Sequence, residues 1–342
     1  MANILVIRLS AFGDVAMLVP VVYSVADSYR EDTFYILTRK AFEPLFNDLR
    51  HNIVPIGIDV KQYRGISGLL RLGHFLRHYP IDKVADVHDV LRSKFLSNYF
   101  TFFRKKVCHI NKGKKEKRAV LEQRNTTCFL KHTTERYFEV FAALGYPASM
   151  RFRSFFDGKS SSLPLPESLP CDGAAKKIGI APFAQHPGKT YPPEQMEAVV
   201  KQLSCKNAVQ IYLFGGKEDA PILEGWQHRY DRVISVAGKI SLEQEVALMS
   251  QLRVMVSMDS ANMHLASLVR IPVVSVWGST HPCFGFYGFN QDLENAVQAD
   301  LSCRPCSVHG NDPCHLTDTP YLCMKRIEPE TIVNKILSFL AL

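Results

Sequence analysis

The chain has 342 residues, of which 46% are hydrophobic and 22% charged, and its formal net charge is +8. This length exceeds one ordinary hydrophobic core and predicts two domains of a soluble globular protein. No apolar run reaches about 18 residues, which excludes a membrane-spanning helix. The positive charge suggests an anionic partner, such as a phosphorylated lipid, a membrane surface or a nucleic acid, unless so mild an excess means nothing specific.

The N-terminus has no basic leader and no small-residue cleavage site, so we expect no signal peptide and a cytoplasmic protein. Nine cysteines, an odd number, argue against a disulfide framework in such a compartment.

The first half alternates strand and helix patterns, which favours a doubly wound parallel sheet. Asn3–Leu9 is predicted to be a strand, and a tight turn containing Gly13 leads into a helix. The turn carries no G-x-G-x-x-G dinucleotide fingerprint. Asp14 stands at the start of the helix, where a carboxylate either caps the helix or accepts a proton from a bound hydroxyl.

Arg104–Arg118 is the most basic segment of the chain. No aromatic residue lies between its charges, so nucleic-acid binding is weakly supported and we expect none. A solvated loop and a contact with an anionic lipid head group or membrane surface are the two remaining interpretations.

Residues 157–176 are rich in Ser, Pro and Gly and are interpreted as an interdomain linker. Beyond them the order of strand, polar turn and helix repeats. We therefore predict an α/β protein with two Rossmann-like lobes, at 1–160 and 175–325, whose parallel sheets face a central cleft, and a C-terminal helix at 326–342.

The second half places several polar residues at predicted strand ends, the sheet edge where ligands bind. Val254–Thr280 is predicted to be strand, helix and strand, with Asp259 and Ser260 at the helix N-cap, where free backbone amides favour a phosphate. His264 shares a helix face with Ser260. The alternative is a capped helix with one half-buried histidine.

Other turns of this half are predicted to reach the same edge. Lys189 offers a point charge for a phosphate, Gly216 permits close backbone approach, and Glu218 can accept ribose hydroxyls. With Thr280, these residues indicate a nucleotide-linked ligand.

Four cysteines near the C-terminus have a spacing typical of metal sites. They are Cys303, Cys306, Cys314 and Cys323. A structural zinc site is one interpretation of this spacing, and reduced thiols or a disulfide are the others.

Three motifs in the same order resemble glycosyltransferase family 9, the ADP-heptose:lipopolysaccharide heptosyltransferase family. They are R-L-S-A-F-G-D-V at 8–15, K-T-Y-P at 189–192, and D-S-A-x-x-H-x-A at 259–266 followed by G-S-T-x-P at 278–282. The resemblance covers nearly the whole chain. It implies a GT-B fold, with the acceptor bound by the N-lobe and the nucleotide-sugar donor by the C-lobe, and metal-independent transfer with inversion.

Carried onto this sequence, the resemblance makes Asp14 the general base and Lys189 the lysine that holds the donor phosphates. Asp259, Ser260 and His264 match the donor-binding motif, and Glu218 falls near the nucleotide-ribose acid. The sequence departs from the family pattern at Ala261, where Gly is usual, and at Tyr191, where Trp is common.

The expected partners are a nucleotide-sugar donor, ADP-heptose in this family, and an anionic glycolipid acceptor of the lipopolysaccharide core or lipid A–Kdo type. Ser10 and Arg92 are the candidate acceptor-binding residues, and peripheral contact with the cytoplasmic face of the inner membrane is expected. No cofactor is predicted for catalysis, and zinc only as a structural possibility. A transferase using another nucleotide sugar for another surface glycan, and a non-catalytic two-lobed sugar-binding protein, are the alternatives.

Overall fold

The computed structural model describes residues 1–47, 49–156, 161, 163, 166, 175–206, 208–316 and 318–340. The strands are β1 (Asn3–Ile7), β2 (Thr33–Arg39), β3 (Ile53–Ile58), β4 (Lys83–Asp86), β5 (Lys106–His109), β6 (Lys176–Ala181), β7 (Val209–Leu213), β8 (Val233–Ser235), β9 (Val254–Met258), β10 (Val273–Trp277) and β11 (Ala296–Gln298). The α-helices are α1 (Phe12–Ser28), α2 (Gly65–Leu76), α3 (Leu91–Phe102), α4 (Lys114–Gln123), α5 (Thr133–Ala143), α6 (Pro193–Ser204), α7 (Ala220–Arg229), α8 (Leu242–Met249), α9 (Ala261–Leu268), α10 (Leu322–Lys325) and α11 (Pro329–Leu340).

Contacts divide the chain into two compact units. The first comprises residues 1–112 and 131–153, and the second comprises 113–130 and 154–342. Residues 113–130, which the sequence interpretation counted in the first lobe, thus group with the second unit. Most of the predicted linker at 157–176 lies outside the described residues.

Each unit is built on one parallel sheet. The first sheet has the strand order β3-β2-β1-β4-β5, and the second has β11-β10-β9-β6-β7-β8. Every strand pair in both sheets is parallel. The central strands β1, β7, β9 and β10 are apolar and almost entirely buried, as a parallel sheet covered on both faces requires. The predicted α/β architecture is therefore confirmed.

The basic segment at 104–118 is divided between the two units. Lys106–His109 forms the edge strand of the first sheet, whereas α4 groups with the second unit. On α4, Val120 packs against Cys283 and Phe284, and the Lys117 ammonium lies 4.1 Å from the centre of the Phe286 ring. This segment is therefore mostly ordered secondary structure and not a single solvated loop.

Within the described residues, no helix combines the length and apolarity needed to cross a membrane.

The C-terminal helix α11 belongs to the core of the second unit. Ile332, Val333, Ile336 and Leu340 recur at helical spacing and join the cluster that includes Val199 of α6. Chain segments that are far apart in sequence are thus held together by apolar burial.

We expect the Ile336→Ala variant to lose about 2–5 kcal/mol of stability, because the side chain is fully buried and its removal leaves a cavity. A urea unfolding midpoint measures the loss, and Asn334→Ala, on the exposed face of the same helix, is the matched control. An unchanged midpoint for Ile336→Ala would show that α11 is not docked.

Candidate functional site

The first unit brings predicted site residues together at the carboxyl edge of its sheet. Strand connections leave in opposite directions from β1 and β4, and such a switch point is where open parallel sheets bind ligands. Ser10 follows β1 and His88 follows β4, and the Ser10 Oγ lies 3.1 Å from the His88 Nε2. This hydrogen bond spans the switch point.

Asp14 lies in the first turn of α1, close to this hydrogen bond. Its carboxylate forms an ion pair with the Arg8 guanidinium and accepts a hydrogen bond from the Ala11 amide, 3.2 Å long. The Tyr137 hydroxyl donates to the Asp14 carbonyl over 3.1 Å. Asp14 therefore helps to cap the helix, and it is also a half-buried, oriented carboxylate at the sheet edge.

His88 is a site residue that the motif search did not single out. Burial, followed by the positive charges of Arg8 and Lys112, lowers the pKa of the imidazole to about 3. The loop after β4 is held by the fully buried Asp86. Its Oδ1 accepts hydrogen bonds from the amides of His88 and Asp89, both 2.9 Å long. The polar ending of β4 was visible in the sequence, but its pairing with Ser10 was not.

Arg92, the second predicted acceptor ligand, lies half-buried in the first turn of α3. Its role stays a prediction.

The second unit has its own switch point, between β6 and β9. Lys189, in the loop after β6, forms an ion pair with Asp259, which follows β9; their Nζ and Oδ2 atoms are 2.8 Å apart. The Thr280 hydroxyl, after β10, donates to the same oxygen over 2.9 Å. The structure thus brings together three predicted donor-site residues from three strand ends.

The start of α9 differs in detail from the prediction. Ser260 occupies the N-cap position, but its side chain makes no capping hydrogen bond, because its Oγ lies 3.1 Å from the Ser257 Oγ. The predicted N-cap position is therefore confirmed for Ser260, whose side chain leaves the first amides of the helix uncapped. His264 lies buried one turn later on α9.

Three loops are packed in direct backbone contact around Lys189. Ser279 donates to the Gly188 carbonyl through both its amide and its hydroxyl, each over 2.9 Å. A Cβ on Gly188 would lie 2.3 Å from the Ser279 Oγ, and one on Gly310, whose φ is +78°, would lie 2.5 Å from the Lys189 Cγ. Only glycine permits this spacing, so the loops fix the path of the lysine side chain.

Arg304 ties the cysteine-bearing segment to this loop layer. Its guanidinium donates to the carbonyls of Gly278, Thr280 at 3.1 Å and Ala299 at 2.6 Å, and to the Gln298 Oε1 at 3.0 Å. Arg304 is only 7% exposed. It therefore holds the backbone of Thr280, which contacts Asp259, and no motif in the sequence indicated this role.

The glycine-bearing turn after β7 is organised by Asp219. Its Oδ2 accepts from the Gly216 amide over 2.8 Å, and burial raises the pKa of this carboxyl. Glu218, the predicted ribose ligand, is exposed on the same turn. The acid that shapes the turn is therefore the neighbour of the one that the sequence singled out.

Tyr191 is fully buried, and its hydroxyl donates to the Ile327 carbonyl over 2.6 Å. Tyr191, at the position where the family commonly has Trp, therefore binds the segment before α11 through its hydroxyl.

The four C-terminal cysteines are free thiols. Among the described residues, no three His, Cys, Asp or Glu side chains are grouped as a metal ion requires, and the zinc interpretation receives no support. Burial raises the pKa of Cys306, and that of Cys323 to about 11, so both are protonated thiols at neutral pH in the metal-free protein. The arrangement fits the reduced-thiol interpretation.

His88 should make the protein less stable at acid pH. Its folded pKa of about 3 lies below the ordinary value of 6.5, so between these pH values the unfolded chain binds more protons. The free energy of unfolding should fall by about 1–2 kcal/mol between pH 7 and about pH 5 through this residue, and the fall should be absent in His88→Asn. Urea unfolding at both pH values tests this, with His51→Asn, an exposed histidine of the same unit, as the control. Equal acid sensitivity of the wild type and His88→Asn would contradict it.

Arg304→Met should loosen the loop layer. The amides of Cys306 and Ser307 both donate to the Ser279 carbonyl, and we expect their hydrogen exchange to accelerate about tenfold or more. Arg253→Met is the matched control, because Arg253 also donates to a backbone carbonyl, that of Phe339, in the same unit. Unchanged exchange at Cys306 and Ser307 would show that Arg304 does not hold the layer.

Comparison with solved structures identifies the fold. The Escherichia coli heptosyltransferase WaaC with ADP has a TM-score of 0.70 at 18% identity, over 98% of this chain and 99% of that chain. A family 9 glycosyltransferase from Veillonella parvula has a TM-score of 0.73 at 16% identity, over 99% and 97% of the two chains. These similarities confirm the predicted GT-B class of two parallel-sheet α/β lobes.

The curated proteins match this chain over a shorter stretch of sequence. Lipopolysaccharide heptosyltransferase 2 of Salmonella typhimurium is 32% identical over 115 residues, which are 31% of this chain and 32% of that protein. Lipooligosaccharide heptosyltransferase 2 of Haemophilus ducreyi is also 32% identical over 115 residues, 31% of this chain and 33% of that protein. The match spans about a third of the length of these relatives.

A family model covers much more of the chain. Residues 69–314 match the model described as glycosyltransferase family 9 (heptosyltransferase), which is well over half of the sequence. The match includes Lys189, Asp259 and Thr280, the residues that meet at the second switch point. The chain therefore belongs to glycosyltransferase family 9, the heptosyltransferase family.

Proposed function

We propose that this protein transfers heptose, or a related sugar, from a nucleotide-sugar donor such as ADP-heptose to an anionic glycolipid acceptor of the lipopolysaccharide core or lipid A–Kdo type. The transfer inverts the anomeric centre and uses no metal. The protein acts at the cytoplasmic face of the inner membrane.

The observation that carries the proposal is the Lys189–Asp259 ion pair at the switch point of the second sheet, in a chain that belongs to the heptosyltransferase family. WaaC, which has the same fold, is described with ADP and with ADP-2-deoxy-2-fluoro heptose. These complexes support an ADP-linked donor for the second unit.

Lys189 is proposed to bind the donor diphosphate. An ammonium group has three N–H donors, and the contact with Asp259 uses one of them. Asp259 and the packed loops hold the side chain in one orientation, so binding loses little side-chain entropy. The lysine and the amides at the start of α9 then stabilise the charge that develops on the departing diphosphate.

Asp14 is proposed to be the general base. The acceptor oxygen forms a bond to the anomeric carbon, and its proton passes to the Asp14 carboxylate. The bond from that carbon to the donor phosphate breaks, and its electron pair leaves with the nucleoside diphosphate. Arg8 and the Ala11 amide orient the carboxylate, while Ser10 and Arg92 are the proposed acceptor contacts.

Two alternatives make different predictions. A transferase for another nucleotide sugar would turn over a donor other than ADP-heptose. A non-catalytic sugar-binding protein would bind a nucleotide sugar without turnover, and Asp14 would then have no catalytic role.

A panel of nucleotide sugars, scored by thermal shift and by turnover on a truncated core acceptor, tests the proposal. Asp14→Asn should lower kcat by about 10²–10⁴-fold and leave nucleotide binding unchanged. Lys189→Met should weaken ADP binding about 10- to 100-fold, as expected for the loss of a charge-assisted hydrogen bond, and Lys189→Arg should weaken it less.

The matched controls are Asp59→Asn and Lys201→Met, which change exposed residues of the first and second unit, respectively. Near-normal turnover in Asp14→Asn would refute the assignment of the base. The NMR configuration of the product decides between inversion and retention.

A further inference from the structure

The outward face of α2 is unusually apolar for a helix that also has a buried apolar face. Leu72 and Leu76 point inward and pack with Leu96 of α3. The exposed residues are Gly65, Ile66, Ser67, Leu70, Arg71, His74 and Phe75. Ile66 is 70% exposed, Leu70 48% and Phe75 38%, so three of the seven exposed positions show large apolar side chains to solvent. Helices of soluble proteins normally place polar residues on this face.

The charge around this face is mainly positive, although Asp59 and Asp82 flank it and the Asp59 carboxylate accepts a hydrogen bond from the Lys61 amide over 2.9 Å. Residues 60–81 contain Lys61, Arg64, Arg71 and Arg77 and no Asp or Glu. Within the described part of the chain, none of these four cations forms an ion pair with a carboxylate. Lys61, Arg64 and Arg71 are exposed, and the Arg71 guanidinium donates only to the Gln62 carbonyl, over 2.9 Å. None of these four cations is therefore neutralised by a direct ion pair to a described residue, and residues 59–82 keep a net positive charge with four Lys or Arg and two Asp.

We propose that this surface, which we call the α2 face and define as Ile66, Leu70, Lys61, Arg64 and Arg71, docks on a membrane that contains anionic lipids. The apolar side chains enter the boundary between head groups and acyl chains, and the cations contact lipid phosphates. A helix that lies in a membrane interface needs this combination, because apolar burial and attraction to anionic lipids act together. The mixed surface favours a lipid bilayer over a second copy of this chain, whose α2 face would carry the same positive charge.

The apolar and basic character continues beyond α2. The Arg77 guanidinium lies 4.2 Å from the centre of the Phe103 ring, and that ring lies 5.2 Å from the ring of Phe102. Phe102 is 81% exposed, and the next residues are Arg104 and Lys105. The end of α3 thus adds aromatic and basic residues, of which Lys105 lies 4.0 Å from the Asp82 carboxylate.

This inference assigns a surface to the membrane contact that the proposed function requires. The sequence directed attention to the basic segment at 104–118, but the structure divides that segment between the two units and buries Lys117. The α2 face lies entirely in the first unit, which also carries Asp14, the proposed base for a glycolipid acceptor. The inference rests on the proposed function only for the reason why such docking would be useful.

Vesicle flotation with the full chain tests the α2 face. The wild type should bind vesicles of about 30% phosphatidylglycerol in phosphatidylcholine at least tenfold more tightly than vesicles of phosphatidylcholine alone. Ile66→Ser/Leu70→Ser and Arg64→Gln/Arg71→Gln should each lose about tenfold or more of this binding. Ile222→Ser, which changes a 46% exposed apolar residue on α7 of the second unit, is the matched control and should bind as the wild type does. Unchanged melting temperatures would confirm that the variants fold.

Each outcome decides the question. Loss of binding in both double variants with a normal control supports the proposal. Retained binding in either double variant, or failure of the wild type to bind anionic vesicles, overturns it. Sedimentation in which only the wild type is a dimer would assign the face to self-association instead. Nucleotide binding and sugar transfer, measured on the same proteins with a soluble truncated acceptor, report the proposed function separately, so that either proposal can fail without the other.

Discussion

The ion pair between Lys189 and Asp259 is the constraint on which the second site depends. Both groups are largely buried, so their removal from water must be offset by close contact and additional hydrogen bonds. Thr280 supplies one such bond to the carboxylate. An ion pair of this kind has one stable arrangement, and leaving either charge alone would cost about 3–5 kcal/mol. The loops around it are accordingly fixed by backbone contacts, with Arg304 bonded to their outer layer.

The first unit also has an ion pair at its candidate site, but there a neutral histidine lies beside the pair. Arg8 and Asp14 form an ion pair beside His88, whose imidazole stays neutral because burial and neighbouring cations disfavour a further positive charge. A neutral imidazole next to Ser10 can donate or accept a hydrogen bond, according to its tautomer. Both sites therefore lie at switch points of parallel sheets, where side chains from non-adjacent segments meet above free strand ends.

Much of the fold could be predicted from local pattern alone. The strand, helix and strand predicted within 254–280 are confirmed as β9, α9 and β10, because each of the two strands is a short apolar run between turn residues. Short elements with weak patterns were missed, namely β5, β11, α4 and α10. In α4 the apolar face is only Val120 and its neighbours among many charges, and its partners Cys283 and Phe284 lie more than 150 residues away in the sequence. Long-range contacts of this kind leave no local signal.

The sequence by itself determined the family, the α/β class and most of the candidate residues, because motifs and apolar periodicity are local properties of the chain. It also indicated that Lys189 and Asp259 belong to one site, since parallel strands end at a common edge. Only the tertiary structure decided that Thr280 faces Asp259, that Asp219 shapes the turn after β7, and that Arg304 and His88 support the two sites. The physical reason is that buried polar groups must find partners, and which partners are within reach depends on three-dimensional packing and not on sequence spacing.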